Sequence, residues 1–255
     1  MPVLRSRKRR RQRERSCGFR GWVPAFKSCA VSVPGGAAHV VRARAAGAHV
    51  TIEACPHHLL LNLDDAKRLR PYGRCAPPLR DRSLAEALWR YVKDETVDCL
   101  VSHHSPYTTE AKPRGNEDIF QAGVGLQAIQ RSVPLTLHER NMSLGAFVRL
   151  ARPARITAYY PRNGTIFPGF DADLMIVNPS SNWVVNAEPQ HCSKNPWTPF
   201  EGKSCGVRVE RTLVRGETVS RDGEIYASPG WGQFLPRADA GAKSERESGA
   251  VVAMS

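Results

Sequence analysis

His49-Val50-Thr51-Ile52-Glu53-Ala54-Cys55-Pro56-His57-His58 decides the fold. Residues 49–55 alternate and are rich in β-branched side chains, which predicts a strand. The strand ends in Cys-Pro-His-His, so two imidazoles stand just past its C-terminal end. The pattern then recurs: Val97–Val101 (VDCLV) reads as a short buried strand, and Ser102-His103-His104-Ser105-Pro106 follows directly. Between the two, Ser83–Lys93 (SLAEALWRYVK) reads as an amphipathic helix with Ser83 as N-cap and Glu86 closing a capping box. A helix joining two strands implies that the strands run parallel. Polar residues past the C-terminal ends of parallel strands are where α/β barrels place their chemistry.

Working outward, Ala37–Gly47 has apolar residues at helical spacing and a glycine stop, and Asp64–Arg70 reads as a short helix with two acids in its first turn. Leu126–His138 and Ser143–Leu150 also read as helices. After Arg162 the style changes. Asn163-Gly164-Thr165 and Pro168–Ala172 are turns, and Asp173–Val177, Trp183–Val185 and Val207–Val219 read as strands. The expected fold class is therefore α/β: a parallel unit over residues 28–162, then a small β unit over 163–236. A tail at 237–255 is expected to be disordered.

The chain has 255 residues, 41% hydrophobic and 24% charged, enough to bury a core and unlike a disordered composition. Its net charge of +13 is unevenly placed: residues 1–20 hold nine Arg or Lys and one acid, and so carry eight of the thirteen. Residues 1–27 are expected to form a disordered basic arm, either an idle tail or a contact for nucleic acid. No apolar run reaches the ~18 residues of a membrane span, and the start lacks the apolar core of a secretory signal. Seven scattered cysteines without a C-x-x-C predict reduced thiols in a cytoplasmic protein.

Two readings stand for the strand-end histidines. His57 and His103 could converge on one ion, since imidazole is the commonest nitrogen ligand for zinc, or they could be hydrogen-bonded structural residues. Arg80 and Asp81, in Arg74-Cys75-Ala76-Pro77-Pro78-Leu79-Arg80-Asp81, could contact substrate or pair structurally. Cys55, Cys75 and Cys99 read as small buried thiols, not nucleophiles. His39 and His49 read as surface groups, His138 and His191 as solvated loop residues, and Trp183 and Trp197 as packing within the β unit.

The motifs taken together resemble the C-terminal half of an allantoinase, in the cyclic amidohydrolase superfamily with dihydroorotases and hydantoinases. The runs are VTIEACPHHL (Val50–Leu59), RCAPPLRDR (Arg74–Arg82), VDCLVSHHSPYT (Val97–Thr108), NGTIFPGFDADLMIVNP (Asn163–Pro179), NPWTPFEGK (Asn195–Lys203) and VERTLVRGETVSRDGE (Val209–Glu224). The resemblance spans roughly residues 32–236. It implies a (β/α)8 barrel beside a small β-sandwich, and a two-metal centre at the barrel mouth that activates water to open a cyclic amide. Zinc or a similar divalent metal would be the cofactor, a cyclic ureide the substrate, and a homo-oligomer the assembly, with no membrane partner. Nucleic acid would enter only through the basic arm.

Carried over position by position, His57 falls on the metal histidine of the family's Cys-Pro-His motif. His103 falls where the family has a metal-binding, proton-shuttling aspartate, and Ala30 where it has another metal histidine. Arg80 and Ser105 are the candidate substrate-binding residues. The chain holds no H-x-H, the family's first-strand ligand pair, and no match to its lysine-bearing strand. The expectation is a partial barrel, impaired or inactive as a hydrolase, with weak or no stoichiometric zinc binding. A non-catalytic binding partner and a nucleic-acid-associated protein are the alternative functions.

Overall fold

The computed structural model describes residues 26–139, 142–151, 163–187 and 195–235. It begins with three parallel strands in the order β1 (Phe26–Ser28), β2 (Val50–Ala54) and β3 (Cys99–Leu100), with Phe26 opposite Val50 and Glu53 opposite Cys99. Phe26 and Lys27 thus lie in a strand, inside the span 1–27 expected to be a disordered arm. The rest of the basic arm, the tail beyond residue 235, His191 and Cys192 lie outside the described residues.

Helix α1 (Pro34–Ala45) connects β1 to β2. It starts on a proline, whose missing N–H costs nothing in the first turn, and stops before Gly47, held at φ +83°. After β2 come the one-and-a-half-turn α2 (Pro56–Leu60) and α3 (Leu63–Leu69). Asn62 caps α3 by accepting the Asp64 amide, and Asp65 accepts the Asn62 amide, a capping box; the helix expected from Asp64 thus starts one residue earlier. Helix α4 (Arg82–Lys93) carries the amphipathic stripe expected of it: Ala85, Leu88, Trp89 and Val92 are buried at i, i+3, i+4 and i+7. Its N-cap is Asp81, without a side-chain bond, so the capping box expected at Ser83 does not form.

The strand expected over Val97–Val101 narrows to the two residues of β3. The helix expected from Leu126 begins at Ile129 as α5 (Ile129–His138); Leu126, almost fully buried, instead bridges in parallel to His104 and continues the order of the sheet. Helix α6 (Leu144–Ala151) follows. The later strands are β4 (Leu174–Asn178), β5 (Trp183–Val184), β6 (Ser204–Cys205), β7 (Arg208–Val214), β8 (Glu217–Arg221) and β9 (Glu224–Ile225). They form an antiparallel sheet β4-β7-β8-β9 and a separate β5-β6 pair. The single strand expected over Val207–Val219 is a hairpin, because Arg215 and Gly216 both take positive φ (+52° and +84°), the requirement of a tight two-residue turn.

One core runs through the molecule. Ile52, Ala54, Leu88, Trp89 and Val97 from the parallel unit share it with Val185, Trp197, Phe200 and Val207 from the later segment. The N-terminal ends of β2 and β3 are tied from outside. The Arg44 guanidinium donates to the carbonyls of Val50 and Thr96, both at 2.9 Å, and to the Asp98 carboxylate, which also accepts the Ile52 amide. Among the described residues no helix is long and apolar enough to cross a membrane.

Candidate functional site

The C-terminal ends of the three parallel strands lie side by side, and each delivers residues singled out from the sequence. Past β1 stands Ala30, buried, at φ +50°; past β2 come Cys55, His57 and His58; past β3 comes His103, exposed, at φ +46°. Pro56 starts α2 with Cys55 as its N-cap, so the two histidines occupy the first turn of a helix that is buried throughout. The Trp89 indole on α4 donates to the Leu59 carbonyl at 2.9 Å and fixes α2 against the core.

His57 and His58 are 2% and 3% exposed, with ring centroids 4.2 Å apart. The His58 Nε2 lies 2.9 Å from the Pro77 carbonyl, which makes it the protonated nitrogen and leaves Nδ1 with a lone pair and no hydrogen-bond partner. Neither His57 nitrogen has a hydrogen-bond partner. One ligand atom each from Cys55, His57 and His58 lies within 4.8 Å of the other two. The His57–His103 ring separation is 6.2 Å, and His103 stays outside this close group.

Burial sets the protonation here. It pushes His57 down to about 2, with the charges of His58 and His103 adding to the effect. It lowers His58 as well, against the opposing hydrogen bond to Pro77. It pushes the Cys55 thiol up to about 12, helped by the Glu53 carboxylate. At neutral pH the cluster is therefore two neutral imidazoles and a protonated thiol. Such a thiol is not a nucleophile, as expected from the sequence.

His104 turns away from this group: its Nδ1 faces the amides of Ala128 and Ile129 at 3.2 and 3.3 Å. Ser105 donates its amide to the Leu126 carbonyl and packs on Gly125, where an added Cβ would fall 2.5 Å from the Ser105 Cβ. The Arg80 guanidinium carries a buried Nε without a hydrogen bond and lowers the His58 pKa, which puts it beside the cluster; Asp81 is exposed. His39 and His49 are exposed, as expected. His138 ends α5, and its Nδ1 accepts the Gly206 amide. Two clefts of about 870 and 970 Å³ lie elsewhere, one lined by Trp183 and Arg208, the other by Phe147 and Phe234. Chemistry and cleft do not coincide, and the unpartnered buried nitrogens mark the site better than a cavity does.

Sequence reasoning missed Lys112. It is fully buried, and its ammonium donates to the carbonyls of Arg74 (3.1 Å), Gly123 (2.9 Å) and Gly125 (2.6 Å). The rings of Tyr107 and Trp197 flank it at 5.7 and 5.3 Å. Burial pushes its pKa down to about 8, while the three carbonyls and two ring faces favour the cation, so it is charged at neutral pH. Trp197 packs against Tyr72 and donates to the Tyr107 carbonyl, which places it against the barrel loops instead of within the β unit.

No family model matches the chain. It is 34% identical over 212 residues to the allantoinase of Salmonella newport, covering 81% of this chain and 46% of that one. Its fold superposes on the L-hydantoinase (dihydropyrimidinase) of Arthrobacter aurescens with a TM-score of 0.77 and 33% identity, over 82% of this chain and 47% of the other. A D-hydantoinase from Thermus sp. gives 0.77 and 29%, over 83% and 48%. The likeness is to the cyclic amidohydrolases. The three parallel strands and their helices are part of an amidohydrolase-type (β/α)8 barrel, and the chain spans about half the length of the curated relatives it matches.

The two-metal centre implied by that likeness does not fit the described residues. At the positions that the resemblance assigns to a histidine and an aspartate, Ala30 offers a methyl group and His103 an imidazole. A ring nitrogen bound to metal has no lone pair left to take a proton. The one described group close enough to share an ion contains no carboxylate.

Proposed function

We propose that this chain is an allantoinase-like cyclic amidohydrolase, built to bind a cyclic ureide such as allantoin, whose hydrolytic centre is impaired. The barrel part would run to about residue 162 and the β unit from 163 to 236. The observation that carries the reading is the composition of the strand-end cluster: Cys55, His57 and His58 meet without a carboxylate, and the resemblance assigns two further ligand positions to Ala30 and His103. Arg80, with a buried Nε lacking a hydrogen bond, supports a substrate-contact role, and Ser105, held by its amide bond to the Leu126 carbonyl, is the second candidate contact. Five described cysteines are free thiols, four of them buried, which supports a reducing, cytoplasmic compartment.

Metal-activated water at neutral pH requires an open, adequately charged site, and general-base help adds only ~10²–10⁴-fold. One restored carboxylate therefore does not rebuild this centre. The test is allantoate release from allantoin with added zinc, cobalt or manganese, on the parent chain and on His103→Asp. Position 103 is held at φ +46°, a conformation that aspartate tolerates well, so the variant should fold. No turnover by either protein is the expected result. Turnover by the parent overturns the reading of an impaired centre. Turnover by His103→Asp alone would make residue 103 the sole defect and equally overturn the multi-ligand argument.

A further inference from the structure

We propose that the cleft between α5 and the antiparallel sheet is a binding site for a small organic oxyanion, a carboxylate or phosphate monoester carried on an apolar body. The cleft shares no lining residue with the strand-end cluster. It therefore stands whether or not the chain hydrolyses amides.

The first support is charge. Arg131 on α5 and Arg208 on β7 line the cleft, and each holds its guanidinium over the Trp183 ring, at 5.2 and 5.4 Å from the centroid. The one carboxylate among the lining residues, Asp222, pairs with Arg221 at 3.3 Å. Arg208 has no ion-pair partner among the described residues. The buried Cys205 thiol feels both cations: burial raises it, and the Val207 bond and then the charges of Arg131 and Arg208 oppose the rise. Two like charges thus converge from two elements, and an anion in the cleft relieves their repulsion.

The second support is order already present before a ligand arrives. The Trp183 Nε1–H donates to the Val207 carbonyl at 2.9 Å, and β5 pairs with β6, so the indole is fixed. A guanidinium drawn to an aromatic face contacts it through its own face, whereas its N–H edge is what takes the oxygens of a carboxylate or phosphate two at a time. Side chains ordered in advance lose less entropy on binding.

The third support is the shape and lining of the cleft. Its volume of about 870 Å³ falls in the ~300–1,000 Å³ range of small-molecule sites. Its walls include Ile129, Val184 and Ile225, large apolar side chains that are 49%, 57% and 53% exposed. The apolar body of a ligand removes that surface from water, which a bare inorganic ion does not. A neutral ligand leaves the arginines unengaged, and a cation meets repulsion.

The test uses the full chain with phenyl phosphate and benzoate as probes, and benzyl alcohol and benzylamine as neutral and cationic analogues of the same body. Calorimetric titration should show saturable binding of an anion at one site per chain, with a dissociation constant of ~1 mM or tighter. The tighter of the two anions names the headgroup. Added sodium chloride should weaken the binding, and neither analogue should bind at the same concentrations. Arg131→Gln and Arg208→Gln should each weaken it ~10-fold or more, the scale of a hydrogen bond to a charged group. Arg211→Gln, on β7 but outside the cleft, should leave affinity unchanged. Circular dichroism confirms folding of each variant, and the comparison of anion with neutral analogue on the parent decides the matter should a variant fail to fold. Absence of saturable anion binding, benzyl alcohol bound as tightly as the anions, Arg131→Gln and Arg208→Gln without effect, or a loss caused by Arg211→Gln or Arg80→Gln in their place would each overturn the assignment.

Discussion

Replacing Lys112 by methionine keeps the apolar stem and deletes the ammonium. Three carbonyls lose a donor. The Arg74 carbonyl keeps the Gly125 amide at 3.1 Å, so its loss is partial. Those of Gly123 and Gly125 lose a charge-assisted bond, at about 1–3 kcal/mol each where they stay dry. The faces of Tyr107 and Trp197 lose a cation worth about 1 kcal/mol. Against this, the variant no longer keeps an ion out of water, which returns part of the sum. The balance is a destabilisation of about 2–4 kcal/mol. For a chain of this size it lowers Tm by roughly 5–15 °C. Urea denaturation and thermal circular dichroism read both. Lys112→Arg should also destabilise, because a fully buried position has no room for the larger head. A Lys112→Met protein within about 1 kcal/mol of the parent would refute the view that this cation holds the loops around Arg74 and Gly123–Gly125.

Stability against pH should separate two buried groups. Burial pushes Cys75 up to about 11 from 9.0, so above pH 9 the unfolded chain gives up a proton that the native state keeps, and stability falls towards pH 11. Lys112, lowered to about 8 from 10.5, acts oppositely: between those values the unfolded chain holds the extra proton, and stability rises with pH. Cys75→Ala should therefore turn the slope of unfolding free energy between pH 9 and 10.5 upward relative to the parent, and an unchanged slope would sink the argument. Gly125→Ala should cost about 2 kcal/mol or more in urea melts, since the new Cβ falls 2.6 Å from the Ser105 carbonyl oxygen; a loss below about 0.5 kcal/mol would show that the loop yields freely.

Much of the parallel unit was legible because hydrophobic period and turn chemistry act locally. The β-branched run before Cys55 became β2, and the apolar stripe of Leu88, Trp89 and Val92 became the inner face of α4. What escaped was decided by distant partners. Leu126 looks helical by its neighbours, yet pairing with His104 draws it into the sheet. The Arg215-Gly216 turn hides inside a stretch that reads as one continuous strand, and the positive φ of both residues turns it into a hairpin. At the site, His57 and His58 were readable from their place after a strand. Cys55 as their close neighbour was not, since a strand alternates its faces and the short α2 brings the sulfur back towards the rings. Nothing local marks Lys112: a lysine in a loop is ordinarily solvated, and only the fold delivers three carbonyls to it.

The two ends of the parallel strands are secured by different forces. At the N-terminal ends the Arg44–Asp98 pair is about 30% exposed and within reach of counterions. At the opposite ends the bonds belong to the His58 imidazole, the Trp89 indole and the Lys112 ammonium, all sealed from water. Mobile salt screens the first set, over a Debye length of ~8 Å at physiological ionic strength, and barely touches the second. Ionic strength is thus a one-sided solvent for this sheet: raising it relaxes the floor and leaves the histidine-bearing rim in place.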